Sequence, residues 1–107
     1  MRGWRRRATW VLTVDRSLAR DLEAALAQAP VPSACQERVR PALAQALRAM
    51  AAPGQPVAVR VFLAGAGAEA AAGWGFFLVE RTRRAAPVVE VFIYPDGTAG
   101  RPDPSNP

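Results

Sequence analysis

The stretch Trp74–Tyr94, WGFFLVERTRRAAPVVEVFIY, decides the fold because it holds two strand patterns separated by a turn. Trp74–Thr82 and Val88–Tyr94 are rich in aromatic and β-branched residues, which are typical of strands. The segment between them, Arg83–Pro87, is polar and ends in proline, which indicates a turn. This part of the chain therefore predicts two consecutive strands of one sheet.

Two further strand patterns lie upstream of this stretch. Val57–Leu63 alternates valine and leucine with other residues and follows the helix-breaking pair Pro53-Gly54. Ala8–Val14 alternates in the same way near the start of the chain. We expect the three C-terminal strands to form a meander, in which each strand pairs with the next.

Two helix patterns separate the first strand from the second. Apolar residues recur there every three or four positions, which is typical of helices with one buried face. These residues are Leu18, Leu22, Leu26 and Ala29 in the first helix, and Val39, Leu43, Leu47 and Met50 in the second. Asp15 or Ser17 is a candidate cap for the first helix.

The second helix carries its own start signals and one helix breaker. Ser33 and Gln36 have the spacing of a capping box, which predicts that the helix begins at Ser33. Pro41 lies inside the pattern, and proline lacks the amide hydrogen that a helix needs. We therefore expect a kink at Pro41, or a true start near residue 40. Cys35 falls on the apolar stripe, which indicates a buried structural thiol.

The order β-α-α-β-β-β predicts an α+β fold with a four-stranded, mainly antiparallel sheet and a helical hairpin packed on one face. The 107 residues suffice for one domain, which we place at residues 8–98. Residues 1–7 are expected to form a basic flexible arm. Residues 99–107, which are rich in proline, are expected to be a disordered tail.

The composition argues against catalysis. All 14 basic residues are arginine, and the chain has no histidine, so the usual general base and commonest metal ligand are missing. We predict a non-catalytic protein with no metal, no cofactor and no evident small-molecule substrate. The single cysteine cannot form an internal disulfide, and no apolar run is long enough to span a membrane, so a cytoplasmic location is expected.

The net charge of +5 is concentrated at the N-terminus. Four arginines and no acidic residue occur in the first 14 positions, whereas the rest of the chain is nearly neutral. These arginines could contact an anion such as phosphate. The candidate anion-binding residues are Arg2, Arg5, Arg6 and Arg7.

Polar residues indicate which side of each strand faces away from the helices. We assign Thr9, Thr13, Arg60, Glu80 and Glu90 to that outer side. The opposite phase then supplies the predicted core of the sheet. Its residues are Trp10, Leu12, Val14, Val57, Val59, Val61, Leu63, Phe77, Val79, Val89, Val91 and Ile93.

The outer phase is unusually aromatic, because it holds five of the eight aromatic residues of the chain. An apolar patch of this kind is typical of a binding surface or a dimer interface. The predicted protein-binding residues are Phe62, Trp74, Phe76, Leu78, Phe92 and Tyr94, with Arg60, Glu80 and Glu90 at the rim. Alternatively, the loop 65–73, the arm or the tail of the same chain covers this surface.

Two short motifs suggest other ligands. Gly73–Val79, GWGFFLV, resembles the signature strand of the RNA-recognition-motif family, in which Trp74 and Phe76 would be the base-stacking rings. The order of elements differs from the β-α-β-β-α-β order of that family. Gly65–Ala70 has the glycine spacing of a dinucleotide-binding turn, but no room remains for the helix that such a turn requires.

Two functions therefore remain open. The first is an adaptor or assembly factor that binds a protein partner, or forms a homodimer, through the aromatic side of its sheet. The second is binding of RNA or single-stranded DNA, with bases stacked on the same rings and phosphates held by the arginine arm. Acidic residues assigned to the aromatic side favour the protein partner, since they would repel phosphate.

Overall fold

The elements follow one another in the predicted order, β-α-α-β-β-β. A computed structural model of the protein describes residues 4–29, 31–64, 74–84 and 86–95. The elements are β1 Trp4–Thr13, α1 Leu18–Gln28, α2 Ser33–Met50, β2 Pro56–Ala64, β3 Trp74–Arg83 and β4 Ala86–Pro95. The four strands form one mixed, mostly antiparallel sheet with both helices on one side, so the predicted α+β class is confirmed. The tail 99–107 and the loop 65–73 lie outside the described residues.

The strands are ordered β1-β2-β4-β3, so the predicted meander is wrong. β4 inserts between its two predecessors and pairs parallel with β2 and antiparallel with β3. Burial explains this order, because the four consecutive residues Val88–Val91 of β4 are all buried. β3 carries more charge and takes the edge, where a strand is covered less completely. Pairing between distant strands depends on such burial, which local sequence patterns do not reveal.

The helices cover one face of the sheet with the apolar stripes that the sequence predicts. Leu18, Leu22 and Leu26 of α1 are buried, as are Val39, Leu43 and Leu47 of α2. They pack against sheet residues of the opposite phase to Arg60 and Glu90. Those residues are Leu12, Val14, Val57, Val59, Val61, Val89, Val91 and Ile93, with Trp10 and Leu63 partly buried beside them.

Helix α2 starts at Ser33, as predicted, but without a capping box. Pro32 occupies the N-cap position, and no side chain caps the helix there. The side-chain amide of Gln36 instead donates to the carbonyl oxygens of Leu26 and Val31, at 3.3 and 2.9 Å, which ties α2 to the end of α1. Cys35, next to this contact, is buried as predicted.

Pro41 lies inside α2, which continues through it to Met50, so the alternative start near residue 40 is wrong. Proline removes one helical hydrogen bond, to the carbonyl of Glu37. Pro41 and Glu37 are both exposed. Water can therefore hydrate the freed carbonyl, and the helix tolerates the proline.

Strand β1 begins at Trp4, four residues before the predicted start. Arg5, Arg6 and Arg7 therefore belong to the sheet, where a flexible arm was expected. Arg5 and Arg6 pair with Leu63 and Phe62 of β2. Arg2 lies outside the described residues.

Candidate binding face

Three phenylalanines form a row across the outer face, which is the side of the sheet opposite the helices. Phe92 of β4 lies in register with Phe62 of β2 and with Phe77 of β3. Its ring is stacked 4.8 Å from that of Phe62, with the planes 9° apart. On its other side the ring of Phe77 lies 4.9 Å away at 11°. The strand register thus builds a stack of three parallel rings.

Trp4 joins this row from the edge strand β1. Its ring meets Phe92 at 5.1 Å and 82°, and Phe77 at 6.1 Å and 89°, which are edge-to-face contacts. A register shift between Arg6 and Ala8 places Trp4 there. Such a bulge reverses the alternation of side chains, so Trp4 faces outward while Trp10 packs on the core.

Tyr94 completes the group at the end of β4. Its ring lies 6.3 Å from that of Phe77, tilted by 44°. Directly across the strand pair is Gly75, whose missing side chain leaves the space that the Tyr94 ring occupies. Trp4, Phe62, Phe77, Phe92 and Tyr94 are called the aromatic cluster below.

The aromatic cluster is partly exposed to solvent. Phe77 keeps 40% of its surface exposed, and the other four rings are half-buried. Val11, on the same side of β1, is 66% exposed. Both helices pack on the opposite side of the sheet. Within the described residues, the outer face therefore exposes apolar side chains at the aromatic cluster and at Val11, with Arg60 between them.

The predicted phase of β3 is wrong. Trp74, Phe76 and Leu78 pack against the core on the helix side, whereas Phe77 lies in the aromatic cluster. Arg38 of α2 covers this side of β3, since its guanidinium lies 5.7 Å from the Phe76 ring centre and donates to the Trp74 carbonyl at 2.6 Å. Val79 shares the outer phase with Phe77, opposite Glu90.

The sequence and the structure therefore agree on part of the aromatic surface. Phe62, Phe92 and Tyr94 lie on the outer face as predicted. Phe77 and Trp4 were missed as members. The sequence pattern places Phe77 in the core and Trp4 in the arm. Aromatic side chains on adjacent strands often pair with one another. This tendency favours Phe77 as the partner of Phe92 and was the available signal.

The charges on the outer face differ from the prediction as well. Glu80 is exposed but shares the helix-side phase of Phe76, opposite Val89. Glu90 is on the outer face as predicted; it is buried and accepts a hydrogen bond from Arg81 Nε at 2.6 Å. Arg60 lies beside Glu90 in register, also on the outer face. The outer face is thus more basic than the sequence indicated.

The arginines of β1 spread over both sides of the sheet. Arg6 pairs with Phe62 and shares its outward phase, and Arg5 pairs with Leu63 on the helix side. Arg5, Arg6 and Arg7 are all exposed. They do not form one anion-binding cluster, but Arg6 adds a positive charge next to the aromatic cluster.

A groove continues the outer face beyond the aromatic cluster, toward the turn between β3 and β4. It has a volume of about 780 Å³. Its lining residues are Ala58, Arg60, Thr82, Arg84, Ala86 and Val88. We call it the arginine groove.

The single cysteine lies away from this face, in helix α2. Burial raises the pKa of the Cys35 thiol, which makes the nucleophilic thiolate scarcer at neutral pH. Across the described ranges, no three cysteine or carboxylate side chains group together as ligands for a metal ion. Neither of the two described helices is long and apolar enough to cross a membrane.

Comparison with known proteins adds no relative. No protein-family model matches the chain, and no curated protein or solved structure is detectably similar to it. The function must therefore be inferred from the outer face itself.

Proposed function

We propose that this chain is a small protein-interaction module that binds another protein through its aromatic cluster. The single observation that carries the proposal is the exposed row of rings on the side of the sheet away from the helices. Aromatic side chains are enriched at the centres of protein interfaces, because they bury a large area with little loss of conformational freedom. The role of adaptor or assembly factor fits such a module.

The geometry of the rings supports a protein partner over stacked nucleic-acid bases. A base needs an open ring face on which to stack. Both faces of Phe92 are covered by Phe62 and Phe77, and Trp4 meets Phe92 and Phe77 edge-on. Phe92 therefore offers no free face to a base, whereas the exposed apolar surface of the cluster suits packing against apolar side chains.

One observation favours nucleic acid as a second candidate. The strands and the turn at Arg84 hold seven arginines but only two glutamates, Glu80 and Glu90. Positive charge supplies most of the affinity of proteins for phosphate backbones. In that case binding would weaken steeply with salt and would depend on the arginines far more than on Phe77.

The test compares the wild-type protein with Phe77→Ala. Light scattering across protein concentrations, at low and high salt, first shows whether the chain associates with itself. Random-sequence peptides displayed on phage are then selected on the wild-type protein. We expect the selected peptides, or the self-association, to lose about tenfold or more in affinity on Phe77→Ala. Glu23→Ala is the control, since Glu23 is exposed on α1, on the opposite side of the sheet from the aromatic cluster.

Two results would contradict the proposal. One is the absence of any peptide or self-association whose affinity depends on Phe77. The other is tight binding of an oligothymidine probe that persists in Phe77→Ala and disappears at high salt, which would favour the nucleic-acid function.

A further inference from the structure

The arginine groove lies on the same side of the sheet as the aromatic cluster. Strands β2 and β4 each contribute residues to both. Arg60 is two residues from Phe62 on β2, and Val88 is four residues from Phe92 on β4. A strand advances about 3.3 Å per residue, so the groove and the rings are separated by about 7–13 Å. One extended peptide segment is long enough to contact both.

The groove lining holds two arginines and no acidic residue, and the carboxylate in register beside Arg60, that of Glu90, accepts a hydrogen bond from Arg81. Nε of Arg60 is buried and has no hydrogen-bond acceptor among the described residues. Arg84 is exposed at the turn between β3 and β4. Arg81 differs from both, because the carboxylate of Glu90 pairs with it.

The floor of the groove is formed by small apolar side chains. Ala58, Ala86 and Val88 separate the two arginines and leave space rather than filling it. A guanidinium that is partly desolvated by such neighbours forms a stronger hydrogen bond to a carboxylate than one in open water. This arrangement suits an acidic side chain that enters from the solvent.

From these observations we infer the chemistry of the partner: an extended peptide segment in which an acidic residue lies two to four positions from an apolar residue. The apolar side chain packs on the aromatic cluster, and the carboxylate binds Arg60 and Arg84 in the arginine groove. This inference rests on the proposed protein-binding function and adds charge selectivity to it.

The experiment uses the peptides selected on the wild-type protein. Each is synthesised in two forms, one with its acidic residues and one with Glu and Asp replaced by Gln and Asn. Binding is measured by fluorescence anisotropy to the wild type, to Arg84→Gln and to Arg60→Gln. Arg20→Gln is the matched control, since Arg20 is exposed on α1, on the opposite side of the sheet.

We expect acidic residues to be enriched near an apolar residue in the selected peptides. Arg84→Gln and Arg60→Gln should each weaken the acidic form about threefold to tenfold and leave the amide form nearly unchanged. Arg20→Gln should bind both forms like the wild type. If Arg60→Gln does not fold, Arg84→Gln decides the question, because its side chain is exposed.

Three results would overturn the inference. In the first, the selected peptides depend on Phe77 yet carry no acidic residue, which would leave the proposed function standing and remove the charge selectivity. In the second, the arginine variants weaken both peptide forms equally, which would show that Arg60 and Arg84 do not distinguish a carboxylate from an amide. A salt-insensitive dimer that depends on Phe77 and binds no peptide would identify a second copy as the occupant.

Discussion

Gly75 lies directly across the β3–β4 strand pair from Tyr94, and the ring of Tyr94 occupies the space where a side chain on Gly75 would begin. A Cβ added at Gly75 would lie 2.6 Å from Cζ of Tyr94. Carbon atoms do not approach so closely without displacement. Gly75 therefore positions Tyr94 against Phe77.

Replacing Gly75 with alanine should push the Tyr94 ring away from Phe77. We expect Gly75→Ala to lower the free energy of unfolding by about 1–3 kcal/mol, because the added methyl group overpacks this pair. In a Tyr94→Ala background the same change should cost far less. Urea unfolding of the four proteins gives the coupling energy between the two sites. An equal cost in both backgrounds would contradict the contact.

Phe76 and Phe77 are neighbours of the same type that point to opposite sides of β3. Phe76 packs on the core beneath Arg38, and Phe77 is 40% exposed in the aromatic cluster. Phe76→Ala should destabilise the fold by about 2–4 kcal/mol, and Phe77→Ala by only about 1 kcal/mol. Phe77→Ala should instead remove binding. Urea unfolding and peptide binding, measured on both variants, check this; the reverse order of stabilities would show that the phase of β3 is opposite.

Phe76 and Phe77 also show why the sequence predicts the positions of the strands better than it predicts which side of the sheet each residue faces. In β2, valine alternates with Ala58, Arg60 and Phe62, so a single phase buries the valines. In β3, both phases are apolar from Phe76 to Val79, and either one could form a core. The choice depends on what the helices cover, which is a tertiary property.

Glu80 was a misleading guide to which side of β3 faces away from the helices. Glu80 is exposed although it lies on the helix side, so an acidic residue there does not mark the outer face. The bulge in β1 was equally hidden, because Arg5, Arg6 and Arg7 are identical and carry no alternation. The helices and their buried leucines were predictable, because the apolar residues that recur every three or four positions are the ones that the fold buries.

Glu80 and Glu90 offer a matched comparison. Both were predicted at the rim of the aromatic side, but Glu80 is exposed, whereas Glu90 is buried and bonded to Arg81. Glu90→Ala should lower the free energy of unfolding by about 1–2 kcal/mol, because it removes the acceptor of a partly buried ionic hydrogen bond. Glu80→Ala should change it by less than about 0.5 kcal/mol. Chemical denaturation measures both, and similar values would contradict a stabilising role of the Arg81–Glu90 pair.

Asp15 gives the fold a pH dependence at acid pH. Hydrogen bonds from the Ser17 hydroxyl and from its backbone N–H lower the pKa of the Asp15 carboxyl below its usual value of 3.8. The ionised carboxylate therefore stabilises the start of α1 above pH 3.8, and this contribution disappears as the pH falls through the lowered pKa. The difference in urea midpoint between wild type and Asp15→Asn should shrink over that range. A constant difference would contradict this role of Asp15.

The bulge at Arg7 is what places Trp4 in the aromatic cluster. Deleting Arg7 alone removes the extra residue and leaves Trp4 opposite Ala64 on the outer face, so this variant should bind like the wild type. Deleting both Arg6 and Arg7 should move Trp4 opposite Leu63 and turn it toward the helix side, because shifting a strand by one residue exchanges its two faces. We expect the double deletion to lose the Trp4–Phe92 contact and to weaken binding at the aromatic cluster about as much as Trp4→Ala does. Near-ultraviolet circular dichroism reports the change in ring contacts, and peptide anisotropy reports the affinity. If the double deletion bound peptides as tightly as the deletion of Arg7 alone, Trp4 would have no part in the binding face.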